Sequence, residues 1–78
     1  MFISDLVFNK NCLGYEIKIY SHYLHKYRYE IKNIYQKKIV DLEIIGFCEN
    51  FTFQNDKLLI FGYNMYNNIE LLQIINFD

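Results

Sequence analysis

The stretch from Tyr20 to Lys38, YSHYLHKYRYEIKNIYQKK, decides the fold, because it carries five of the eight tyrosines and five of the eight cations. It reads in two ways. As a helix, Tyr20, Tyr23, Leu24, Tyr27, Ile31, Ile34 and Tyr35 line one face at i, i+3, i+4 spacing, with Ser21 placed to cap the start. As a strand, Tyr27, Tyr29, Ile31 and Tyr35 point one way and Lys26, Arg28, Glu30 and Lys32 the other, until Asn33 and Ile34 break the alternation. The helix collects more matches, but Tyr, Ile, His and Asn are mediocre helix formers, whereas Tyr and Ile suit a pleated surface. No Gly or Asn stands between Lys38 and the next apolar run to end a helix. Tyr15-Glu16-Ile17-Lys18 also recurs as Tyr29-Glu30-Ile31-Lys32, and the first copy alternates cleanly.

The strand reading makes the chain mainly β, a small antiparallel meander curling toward a barrel. The alternative is α+β, the same sheet with one helix at about 21–36 packed on it. With 78 residues the chain is expected to form one small domain over 1–78, and a hydrophobic fraction of 53% argues against disorder.

The other elements follow the period of two. Phe2 to Phe8 reads as a first strand, with Asn9-Lys10-Asn11 as a turn cluster and Gly14 closing the loop. Tyr15 to Tyr20 is next, with Tyr15, Ile17 and Ile19 inward. Ile39 to Cys48 is a strand with Val40, Leu42 and Ile44 on one face. Phe51-Thr52-Phe53, Gln54-Asn55-Asp56-Lys57 and Leu58-Leu59-Ile60-Phe61 give the clearest local signal, a β-hairpin about an Asn-Asp turn. Gly62 marks a bulge or a strand end. Asn64, Asn67 and Asn68 form a polar loop around Met65 and Tyr66. Ile69 to Phe77 fits helix and strand equally and is taken as a closing strand.

The chain has no Ala, Pro or Trp and one Arg against seven Lys. That is the signature of AT-rich codons, so a low-GC bacterium, its phage or an AT-rich virus is the expected source. The same bias accounts for part of the tyrosine excess. Net charge is −1, yet Lys26, Arg28, Lys32, Lys37 and Lys38 against Glu30 give +4 between 22 and 38, leaving −5 elsewhere. No secretory leader or membrane-length apolar run is read, and two cysteines make no disulfide framework, so a bacterial or infected-host cytosol is expected.

Reactive constellations are sparse. His22 and His25 would share a helix face as metal ligands but point apart on a strand, and no paired Cys or Cys/His spacing accompanies them. Cys48 lies in an apolar run, where a free Cys is usually a small hydrophobe rather than a nucleophile. Asp41 and Glu43 share a strand face, as do Glu16-Lys18 and Glu30-Lys32, which is the pattern of any solvated exterior. The three glycines are isolated and form no phosphate-cradling loop. No catalytic residue, metal or cofactor is expected.

By elimination the expected function is a non-enzymatic protein-binding module, a small inhibitor or accessory factor of a phage or mobile element. Its contact surface would be Lys26, Arg28, Lys32, Lys37 and Lys38 against an acidic patch on a protein partner. Tyr29 or Tyr66, where exposed, would serve as anchors. Homodimerisation through an edge strand such as Phe2 to Phe8 is a second expectation. The alternative function is a small-barrel binder of single-stranded nucleic acid, disfavoured because most tyrosines lie opposite the lysines.

Overall fold

Seven strands and no helix make up the described part of a computed structural model. It describes residues 5–22, 26–35, 38–44 and 49–78, with side chains described for all but 22 and 38–44. The strands are β1 (Asp5–Cys12), β2 (Tyr15–His22), β3 (Lys26–Asn33), β4 (Lys38–Ile44), β5 (Asn50–Gln54), β6 (Lys57–Tyr63) and β7 (Ile69–Asn76). All pairings are antiparallel between sequence neighbours, as a meander requires. The meander divides into a four-stranded sheet, β1-β2-β3-β4, and a three-stranded sheet, β5-β6-β7, which are not closed into a barrel.

The described part of the central stretch is the end of β2, the whole of β3 and the start of β4, with Ile34 and Tyr35 in a turn. Tyr29 and Ile31 lie opposite Ile19 and Ile17 on the inner face of the first sheet, and all four are buried. Leu58 and Ile60 face them from the second sheet and are fully buried. Each such aliphatic side chain withdrawn from water is worth ~1.5–3 kcal/mol. Aromatic rings close the seam between the sheets. Phe8 meets Phe51 edge-on at 5.5 Å, Tyr27 meets Phe51 at 5.2 Å, and Tyr15 meets Phe77 at 5.4 Å. Lys10 stands 5.1 Å over the Phe53 ring.

Two hairpins turn on residues with positive φ at both central positions, the geometry that matches strand twist. Asn55 and Asp56, at 53° and 56°, form the expected Asn-Asp turn. The β1–β2 turn differs from expectation. Asn9, Lys10 and Asn11 continue β1, and the chain reverses at Leu13 and Gly14, with φ of 47° and 85°. Gly14 supplies the left-handed conformation at no steric cost, so the reversal occurs there. Tyr35 also departs from expectation. β3 ends at Asn33, and Tyr35 sits in the following turn, 86% exposed, rather than inward with Tyr27 and Tyr29. The first-strand expectation at Phe2 to Phe8 falls partly outside the described residues; the strand seen starts at Asp5. Tyr23 and Cys48 also lie outside them.

The closing strand is confirmed at Ile69–Asn76 and contains a bulge. Ile60 pairs with Gln73 and Phe61 with Leu71, leaving Leu72 as the extra residue. Leu72 lies against the place a Cβ would take at Gly62, 2.8 Å from its Cδ1, which explains the glycine.

Candidate interaction surfaces

The two sheets present outer faces of opposite character. On the first sheet the period of two in β2 and β3 puts Glu16, Lys18 and Tyr20 beside Lys32, Glu30 and Arg28, and His22 beside Lys26. Lys26, Arg28 and Lys32 therefore share one face, as the strand reading expected. Acids are interleaved with them: Lys18 Nζ lies 3.4 Å from Glu16 and Arg28 lies 3.7 Å from Glu30. The Glu16 carboxylate holds the Lys18 ammonium above its usual pKa, first through its charge and then through a hydrogen bond. Backbone pairing sets Glu43 opposite Arg28 and Asp41 opposite Glu30. Lys38 opens β4 opposite Asn33, and Lys37 lies outside the described residues.

Tyr20 belongs to this charged face, with Arg28 5.8 Å from its ring centroid. The expectation that rings and cations separate holds for Tyr27 and Tyr29 but overlooks Tyr20. Its signal was in the sequence, since Glu16, Lys18 and Tyr20 share one parity. Tyr29 is wholly buried and drops out as a partner anchor. Burial, then the nearby Glu49 carboxylate, pushes its phenol far above the ordinary tyrosine pKa. Glu49 is itself buried and accepts the Tyr27 backbone N–H at 2.8 Å. Tyr66 is 77% exposed, but in the β6–β7 loop of the second sheet.

The outer face of the second sheet is apolar. Three cross-strand pairs build it: Leu59 with Ile74, Phe61 with Leu71, and Tyr63 with Ile69. Ile69 is 67% exposed, and Leu71, Ile74 and Tyr63 are also exposed. A recess of about 250 Å³ at one end is lined by Asn50, Phe61, Gly62, Tyr63 and Ile69. Of the residues expected to make contact, Tyr66 alone belongs to this sheet, in the β6–β7 loop at its end. The signal was β6 itself, whose Leu58-Leu59-Ile60-Phe61 run is apolar at both parities and so marks a strand built to be covered on both faces.

Among the described residues no group of three or more His, Cys, Asp or Glu is placed to hold a metal. No helix among them is long and apolar enough to cross a membrane. His25 lies outside the described residues, and His22 pairs with Lys26. Cys12 is buried and donates to Asp56, where desolvation and then that hydrogen bond raise its pKa. Comparison with protein-family models, with curated proteins and with solved structures gives no match.

Proposed function

We propose that this chain is a non-enzymatic protein-binding module, a small accessory or inhibitory factor of a phage or mobile element in a low-GC host. The observation that carries the reading is the shared outer face of Lys26, Arg28 and Lys32, joined by Lys18 and the ring of Tyr20. Its partner is a protein with an acidic patch, met by cations already held in register by strand pairing. Interleaved Glu16 and Glu30 make the face selective for a pattern of charge rather than for any polyanion. The AT-biased composition supports the genomic setting.

The test is capture of partners from cells of the source, by the unmodified chain and by a Lys26→Glu/Arg28→Glu/Lys32→Glu triple variant. The variant should lose the partner while keeping its stability within about 1 kcal/mol, because surface ion pairs contribute little. Retention of the partner by a folded triple variant removes this face from the reading.

Tyr20 on the cationic face favours a second reading, a binder of single-stranded nucleic acid through one stacking ring and the surrounding lysines. Arg28 already lies over that ring, and acids stand between the cations, so the protein reading is preferred. A shift assay with single-stranded DNA and RNA over a salt series separates the two, since no binding at low salt ends the second reading.

A further inference from the structure

We infer that a second copy of this chain covers the outer face of the β5-β6-β7 sheet, face to face about a two-fold axis. This goes beyond the proposed function and uses a different surface. The first argument is coverage. The inner face of this sheet packs on the first sheet through Leu58, Ile60 and Phe77, whereas on the other side Ile69, Leu71, Ile74 and Tyr63 remain 67%, 45%, 51% and 43% exposed. Their cross-strand neighbours Leu59 and Phe61 make the patch continuous across two strands. On the first sheet the outer face of β2 and β3 is mostly charged, and the exposed apolar residues among its described strand side chains, Leu6 and Val7, are confined to the edge strand β1.

The second argument is charge. The outward register positions of this sheet are Asn50, Thr52 and Gln54 on β5, Lys57, Leu59, Phe61 and Tyr63 on β6, and Ile69, Leu71, Ile74 and Asn76 on β7. Glu70 pairs with Gly62 and so falls on the other parity. One lysine at one end is the single charge. Such a face offers a charged partner nothing to pair with, and it does not repel its own copy.

The third argument is size. The face alone offers roughly half of the ~800 Å² that a standard interface buries on each partner, and Met65 and Tyr66 of the loop joining Tyr63 to Ile69, 88% and 77% exposed, supply the rest by meeting the facing copy. A two-fold arrangement uses the same patch on both copies, so every apolar group finds one. The recess beside Phe61 and Tyr63 takes an apolar side chain from the facing copy. The assembly is then a four-layer stack with the apolar faces inside and the two charged faces outermost, which gives the partner-binding face two presentations per particle.

Sedimentation velocity of the full chain from low to high micromolar concentration tests this. The expected result is a monomer–dimer equilibrium that Ile74→Glu and Ile69→Glu each weaken by roughly tenfold or more. Tyr35→Glu, at an exposed site in the turn after β3, leaves it unchanged. Far-UV circular dichroism checks that each variant is folded. Should the Glu variants not fold, dilution of the unmodified chain decides the matter, because binding of an apolar dye must rise as the dimer dissociates. A monomer at every concentration, a dimer indifferent to both folded Glu variants, or dye binding independent of dilution overturns the inference. The Lys26/Arg28/Lys32 triple variant should assemble normally, so failure of this inference is seen apart from failure of the proposed function.

Discussion

The Cys12 thiol lies 3.3 Å from Asp56 Oδ1 and donates to it, tying the last residue of β1 to the turn between β5 and β6. Asp56 makes a second tie through its carbonyl, which accepts the Phe77 N–H at 3.0 Å. One turn residue thus holds the end of the first sheet's edge strand and the chain beyond β7. Desolvation first, then Asp56, raises the Cys12 pKa. The reactive form of a thiol is the thiolate. In a Cys48→Ser chain, where Cys12 is the single thiol, reaction with an aromatic disulfide reagent at pH 8 should be several-fold slower than for a free thiol of pKa ~8.5. Asp56→Asn should speed it, since Asn keeps the positive φ of the turn but removes the carboxylate. Equal rates in the two chains would show that Asp56 does not act on the thiol.

Tyr29 gives a pH dependence with a definite sign. Its folded pKa is raised by burial and by Glu49, so the folded chain resists losing that proton. The stabilisation is complete below the unfolded tyrosine value of ~10 and is lost as pH rises beyond it. Titration followed at 295 nm should show one tyrosine that fails to ionise with the others until the chain unfolds. Tyr29→Phe should move alkaline unfolding to higher pH, with a change at neutral pH of about 1 kcal/mol. Tyr29→Ala removes a fully buried ring and should cost ~3–5 kcal/mol, enough to unfold most of a domain this size.

These two sites show what the sequence makes legible and what it hides. Ile17, Ile19, Tyr29 and Ile31 were readable as core because strict alternation leaves no other face for them. The Asn55-Asp56 hairpin was readable because its turn chemistry is local. Cys12 and Asp56 are 44 residues apart, and nothing local announces such a meeting. The β1–β2 turn misled because Asn9-Lys10-Asn11 has turn composition, while the real turn places Leu13 at positive φ, where leucine is uncommon. The closing strand looked half helical because Glu70, Gln73 and Asn76 stand at i, i+3, i+6. The Leu72 bulge also splits the strand face read there, leaving Ile69 and Leu71 outward and Ile75 opposite the buried Leu58. The apolar outer face of the second sheet was hidden by the same bulge.

Asn64 organises the β6–β7 loop through its side chain. Its Oδ1 accepts the Tyr66 N–H at 2.9 Å and the Asn68 N–H at 3.0 Å, and its backbone exchanges bonds with Asn67 and Asn68. Asn64→Ala should therefore cost about 1 kcal/mol in urea unfolding despite a loop position. Asn67 sits at a φ of 64°, where glycine is at ease and a β-branched residue is not. Asn67→Gly should be within about 0.5 kcal/mol of the parent, and Asn67→Val should lose ~1–2 kcal/mol. A Val variant as stable as the Gly variant would mean the loop does not hold this conformation in solution.

Gly62 and Leu72 should behave as one unit. A Cβ at Gly62 would stand 2.8 Å from Leu72 Cδ1, closer than real carbon contacts allow, while the backbone there is of a kind any residue adopts. The difficulty with Gly62→Ala is therefore steric, and it lies with the tip of a side chain that is 40% exposed and able to move. Gly62→Ala alone should cost ~1–2 kcal/mol as Leu72 is pushed off its place. Leu72→Ala alone should cost about 1 kcal/mol for lost burial. The double variant should be less destabilised than the sum of the two by about 1 kcal/mol, because alanine at 72 leaves room for the new methyl. Strict additivity would mean that Leu72 does not lie on Gly62, and the bulge that puts it there would have to be redrawn.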